Sequence, residues 1–170
     1  MSKTATTTTE QKIFFNNSFG QQLTSEQVIQ EIKKFMNDDP RRCYKVIIGT
    51  DSEKQADNTA DFVTAVVVHR VGNGGRYFWR RIDNERKYHT LRDRIIDEVM
   101  ASLEMAHTLL LTSKKMEMPK FDFEIHADVG EIGPTKAIIQ EVVGMIRANN
   151  FEVKTKPHSY AASKVADRHV

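Results

Sequence analysis

With 170 residues, a formal net charge of +2, 39% hydrophobic and 28% charged residues, the chain fits one soluble globular domain and falls outside the disordered class. A single cysteine, Cys43, excludes a disulfide framework and a Cys-rich zinc site, and fits a reducing compartment. No apolar run approaches the roughly 18 residues of a membrane span, and the N-terminus lacks the apolar stretch of a secretory leader, so a cytoplasmic protein with no membrane partner is expected.

Residues 1–11, MSKTATTTTEQ, are Thr-rich without apolar periodicity and read as a flexible tail ahead of one domain over 12–170. Phe14, Phe15 and Phe19 follow in a short segment ending at Gly20, expected to be a loop that packs its aromatics onto the body. Thr24 or Ser25 caps a helix in which Val28, Ile29, Ile32, Phe35 and Met36 recur at helical period until Asp38-Asp39-Pro40. Tyr44 to Asp51 is short, almost continuously apolar and rich in β-branched residues, the pattern of a strand buried on both faces. Asp61–Arg70 reads as a second strand, Asn73-Gly74-Gly75 as a hairpin turn, and Arg76–Ile82 as the partner strand.

Thr90, with Asp93 three residues on, opens a long helix along the stripe Leu91, Ile95, Val99, Leu103, Ala106 and Leu110. After a loop over Ser113–Pro119, Phe121, Phe123, Ile125 and Ala127 alternate with polar residues in a fourth strand ending at Asp128. Gly133-Pro134 opens a helix with Ile138, Val142 and Ile146, closed by Asn149-Asn150. Phe151–Thr155 is a fifth strand, and Ser159 caps a last helix through Asp167. Three meander-like strands followed by alternating helices and strands predict a single-domain α/β fold: a five-stranded mixed sheet with helices on both faces.

Charge is uneven along the chain. Between Arg70 and Arg94 eight Lys/Arg stand against Asp83, Glu85 and Asp93, a local +5 that leaves −3 elsewhere. Such a patch permits contact with a polyanion; a solvated face explains it equally well.

Three carboxylates fall where chemistry can use them. Asp51 ends the first, fully buried strand, and open α/β sheets bind ligands at the carboxyl ends of their strands; the plainer reading is an Asp that starts the next turn. Asp128 ends the fourth strand, and if that strand lies parallel beside the first, both aspartates emerge at one sheet edge. Two carboxylates in one cleft suit a hard cation such as Mg²⁺ or Mn²⁺. His126 shares the face of Asp128 and can assist it or serve as a satisfied structural histidine. On the long helix Asp93, Asp97 and Glu104 fall on the solvent side, whereas Glu98 flanks the buried stripe and can lean into a cleft or pair with Arg94 at i−4. Asp167 points away from the apolar side of its helix (Ala161, Ala162, Val165), and reaches a cleft only if that helix crosses the mouth of the site.

Three runs together, Ile47-Ile48-Gly49-Thr50-Asp51-Ser52, Ile125-His126-Ala127-Asp128-Val129-Gly130 and Ser159-Tyr160-Ala161-Ala162-Ser163-Lys164-Val165-Ala166-Asp167-Arg168, resemble the YkuK-like family of bacterial proteins within the ribonuclease H-like superfamily. The resemblance covers nearly the whole chain after the tail, including Asp39-Pro40. It implies strand order 3-2-1-4-5 with the second strand antiparallel to its neighbours. It also implies a site of two Mg²⁺ or Mn²⁺ ions held by Asp51, Glu98, Asp128 and Asp167, the last resting chiefly on the resemblance. His158 stands where some ribonucleases H carry a mobile histidine. The implied chemistry is phosphodiester hydrolysis across two ions about 4 Å apart, with Asp51 bridging them. Arg80, Arg81, Lys87, Lys154, Lys156 and Lys164 are the cations available to a phosphate backbone. The long basic insertion and appended hybrid-binding domain of some ribonucleases H are not seen, so the nucleic-acid substrate is not inherited with the family; only three residues follow Asp167 to support its helix.

The sequence therefore points to a metal-dependent nuclease or phosphodiesterase. The alternative is a catalytically inactive nucleic-acid-binding or scaffold domain on the same fold. Asp128-Val129-Gly130 faintly echoes an actin-like phosphate loop, but 170 residues supply only one of the two lobes such enzymes close. Neither a G-x-x-x-x-G-K-[ST] loop nor a G-x-S-x-G elbow is present, which leaves a P-loop enzyme or a serine hydrolase unsupported.

Overall fold

The computed structural model describes residues 13–170; the tail expected over residues 1–11 lies outside the described residues. In chain order the elements are β1 (Phe14–Asn17), β2 (Gln22–Thr24), α1 (Ser25–Asn37), β3 (Tyr44–Lys54), β4 (Ala60–Arg70), β5 (Gly75–Ile82), α2 (Leu91–Lys114), β6 (Asp122–His126), α3 (Ile139–Ala148) and β7 (Glu152–Lys154). A π-helical turn over Ala161–Ala166 and a 3-10 turn over Asp167–His169 complete the chain in place of the regular last helix expected.

One mixed sheet holds all the strands in the order β2-β1-β5-β4-β3-β6-β7. β4 is antiparallel to β3 and β5, whereas β3, β6 and β7 are mutually parallel. The five expected strands are therefore present in the order 3-2-1-4-5, but the sheet has seven strands, not five. The two additions form a hairpin where a loop was expected. The Asn17 side chain accepts the amides of Phe19 and Gln21, Gly20 takes a positive φ of 77°, and the chain reverses onto the free edge of β5. Phe15 is fully buried, while Phe19, expected to pack onto the body, is 86% exposed at the turn. Strands of four and three residues are too short to display a period of two.

Helix α1 is capped by Thr24 rather than Ser25. The Thr24 hydroxyl accepts the Gln27 amide at 3.2 Å and the Gln27 side chain accepts the Thr24 amide at 2.8 Å, satisfying two orphan donors at once. Thr90 caps α2 through its hydroxyl alone, which accepts the Asp93 amide at 3.1 Å; the Asp93 side chain does not complete the capping box the sequence resembled. The segment after Gly133-Pro134 is a 3-10 turn (Lys136–Ile138) before α3 becomes regular at Ile139.

The two faces of the sheet are covered unequally. Val46 and Ile48 of β3, with Val66, Val68, Phe78 and Ile125, pack under α1, α2 and α3 in the main core. The opposite face, with Ile47, Val63, Ala65 and Val67, carries only the last helical segment through Ala161 and Ala166. Among the described residues no helix is long and apolar enough to cross a membrane.

Candidate active site

β3 and β6 pair from Lys45–Asp122 to Gly49–His126, where β6 ends. β3 runs on to Lys54, now paired only with β4, and Asp51 sits opposite Val63 in this extension. Asp51 thus does not end its strand, as the sequence suggested: the polar residues 53 and 54, which read as the start of a turn, continue it. Asp51 lies just past the point where β6 leaves, in the crevice beyond the carboxyl end of a parallel strand. Asp128 follows two residues after β6 and borders the same crevice.

Asp167 arrives from the other side. Gly49 has no side chain, and a Cβ there would stand 2.6 Å from the Ala161 carbonyl carbon, so the last segment lies directly on β3. That close approach brings the Asp167 carboxyl beside Asp51, near enough to hold Asp51 above its ordinary value. Burial, the Asp167 contact and the Asp128 charge together push Asp51 up to about 7, with the Ser52 amide opposing them.

Glu98 reaches the crevice from α2 and is 3% exposed. Its Oε1 accepts the Ser52 hydroxyl at 2.5 Å and lies 3.6 Å from Nη1 of Arg94. Burial raises Glu98 to about 8; the charges of Asp51 and Asp128 add to this, and Ser52 and Arg94 oppose it. Arg94 also donates to the Ser52 carbonyl and hydroxyl, so both readings of Glu98 from the helical wheel hold together: it leans into the cleft and it pairs at i−4. Below this point Thr50 bonds Thr64 at 2.9 Å and Ser102 at 2.7 Å, tying α2 to the sheet.

The arrangement is a cluster of oxygen ligands whose charges repel. Oδ1 of Asp128 is buried without a hydrogen-bond partner; Lys156 Nζ stands 3.3 Å away, outside hydrogen-bond geometry. A buried carboxylate oxygen without a hydrogen bond, beside two acids pushed upward, Asp51 and Glu98, is what a hard divalent cation relieves, so the oxygen chemistry of these side chains suits Mg²⁺ or Mn²⁺. Among the described residues no group of three or more His, Cys, Asp or Glu side chains stands close enough to hold a metal ion, and Glu98 is turned toward Ser52 and Arg94.

A family profile described as Ribonuclease H-like matches residues 27–170. The chain belongs to the ribonuclease H-like family. It is also 37% identical over 169 residues to a Bacillus subtilis (strain 168) protein carrying the name "Uncharacterized protein YkuK", covering 92% of this chain and 95% of that one. No solved structure matches it.

In this ribonuclease H-like domain the other candidates are dispersed. His158 lines a separate cavity of about 580 Å³ with Lys45, His69, Lys154 and Lys164, and is not bonded to any of the four carboxylates. His126 is 2% exposed and structural: its Nδ1 accepts the Ala161 amide at 3.2 Å, while Nε2 faces Glu124 at 3.2 Å. Of the cations, Lys156 touches the site, and Arg81 stands in register with Val63 and Asp51. Arg80 pairs with Thr64 and faces the Glu104 charge on the α2 side, and Lys87 is exposed before α2. A larger cavity of about 620 Å³ between α2 and α3 contains none of the candidate residues. Ser52, which ends the first of the three runs, was given no part in the site by the sequence; its hydroxyl donates to Glu98. Arg81 was read as a phosphate contact, but its Nη2 donates to the His169 carbonyl at 2.8 Å.

Proposed function

We propose that this protein is a divalent-metal-dependent nuclease that hydrolyses nucleic-acid phosphodiester bonds at Asp51, Glu98, Asp128 and Asp167. The observation that supports the reading is that Asp51 stands beside Asp167 and within the field of Asp128 just beyond the end of β6, with an Asp128 oxygen that no hydrogen bond satisfies. Asp51, central in the cluster, would be the principal residue to hold the metal. Asp128 and Asp167 flank it, and Glu98 joins by turning from Arg94. When bound, two such ions supply water activation and stabilisation of the leaving oxygen. Lys156 is the cation placed to meet a phosphate beside Asp128.

One observation favours the alternative, a nucleic-acid-binding or scaffold domain without turnover. Glu98 already has a cation, Arg94, and a hydroxyl donor, Ser52. The test is Mn²⁺- and Mg²⁺-dependent cleavage of labelled RNA, single- and double-stranded DNA, RNA–DNA hybrid and a four-way junction, by wild type and Asp51→Asn prepared identically. Metal-dependent cleavage that disappears in the variant is expected. Cleavage unchanged in the variant removes the site assignment; no cleavage with no metal binding leaves the binding module.

A further inference from the structure

Asp167 is exposed and, among the described residues, forms no ion pair. It stands on turns of π and 3-10 type, whose hydrogen-bond geometry is weaker than that of a regular helix. Its place against Asp51 is therefore set by what holds the segment at either end. At the start, the Ala161 amide donates to His126 Nδ1, which puts the imidazole proton on Nε2 and directs it at Glu124; Glu124 in turn accepts from Lys45 at 2.5 Å. At the far end, the His169 ring lies flat on Trp79, centroids 4.2 Å apart and planes 8° from parallel. Its Nε2 is 3.3 Å from the Tyr77 hydroxyl, and its carbonyl accepts from Arg81.

Sheet register links this far anchor to the site. Trp79, Ala65 and Gly49 form one row across β5, β4 and β3, and Arg81, Val63 and Asp51 form the next row on the same face. The segment is thus seated at both ends on one row, at Gly49 and at Trp79, and Asp167 is suspended over the adjacent row. We infer that the Trp79–His169 stack is a latch that sets Asp167 against Asp51, making both of them positioning residues for the metal site. This rests on reading the carboxylates as metal ligands. Neither residue touches the ions; each acts by fixing where the Asp167 oxygens lie.

Trp79 is the only tryptophan, so its emission reports the latch directly. The experiment is calorimetric titration of the metal-free full chain with Mn²⁺, alongside the Trp79 emission maximum and a thermal melt. The proteins are wild type, His169→Ala, His169→Phe, Asp167→Asn and the Asp167→Asn/His169→Ala double variant. His169→Ala is expected to red-shift the emission and weaken Mn²⁺ binding about tenfold, the scale of losing an outer support of a metal ligand. His169→Phe retains the stack and with it wild-type affinity. In the Asp167→Asn background, His169→Ala adds no further loss, because both act on one ligand. Should His169→Ala fail to fold, Trp79→Leu loosens the latch from the sheet side and carries the same expected loss. A red-shifted His169→Ala variant with wild-type Mn²⁺ affinity overturns the latch alone. A wild type that takes up no Mn²⁺ overturns the reading of the carboxylates, and the latch with it.

Discussion

Gly49 lies against the backbone of Ala161 with no room for a side chain between them. What a methyl group would strike is main chain, which cannot rotate away as the end of a flexible side chain can. Gly49→Ala is therefore expected to lower stability by about 1–3 kcal/mol through overpacking, measured by urea denaturation. The last segment should lift with it, shifting Trp79 emission to the red. Unchanged stability and emission would show that the segment tolerates displacement.

The acid cluster makes stability depend on pH in a defined sense. Asp51 and Glu98 have ordinary values of 3.8 and 4.5 and are raised in the fold to about 7 and about 8. Between these limits the unfolded chain binds fewer protons than the native state, so their contribution is complete below about pH 4 and declines as pH rises to about 8. Asp51→Asn removes part of that decline. Its stability relative to metal-free wild type should therefore grow from pH 5 to pH 8, read from paired denaturation midpoints. A constant difference across this range would contradict the raised Asp51. Adding Mg²⁺ should stabilise wild type more at pH 8 than at pH 5.

Lys45 neutralises Glu124, a carboxylate only 3% exposed. Its replacement by Met leaves that charge buried with His126 as its remaining partner, at a cost of about 3 kcal/mol. Lys45→Met/Glu124→Gln should regain most of the loss, because the uncompensated charge is gone. Equal stabilities for the single and double variants in a mutant cycle would place the cost in lost packing instead.

Lys156 competes for the Asp128 oxygen that an ion would take. Lys156→Ala should tighten Mn²⁺ binding several-fold and at the same time raise KM for a nucleic-acid substrate, since the same cation faces the phosphate. Calorimetry and cleavage kinetics on one preparation read both effects. Movement of the two in the same direction would exclude this dual role.

The parts of the site legible in the sequence are those that depend on a strand and its neighbours. A buried β-branched run ending near Asp51, and an alternating strand leading to Asp128, place both acids at one edge once the strands are parallel. Glu98 was legible from helical geometry. Asp167 was not: its own helical wheel turns it away, and it reaches Asp51 only because Gly49 admits the segment onto the opposite face of the sheet. His169 and Trp79 are 90 positions apart, and no local pattern joins them. The hairpin at residues 14–24 was hidden because Phe15 is its one fully buried residue and neither strand exceeds two full alternations.

That hairpin also governs how the molecule behaves in company. Without it, β5 would present an eight-residue rim bearing Tyr77, Phe78 and Trp79, with main-chain donors and acceptors open to any passing strand. Asn16 and Asn17 pair with Trp79 and Phe78, and the outermost position passes to β2, three residues long; β7 at the opposite rim is equally short. Brief borders of this kind give a neighbouring molecule little to zip onto. Trimming the chain back to Ser25 would lay bare the Phe78 and Trp79 main chain that the hairpin now covers.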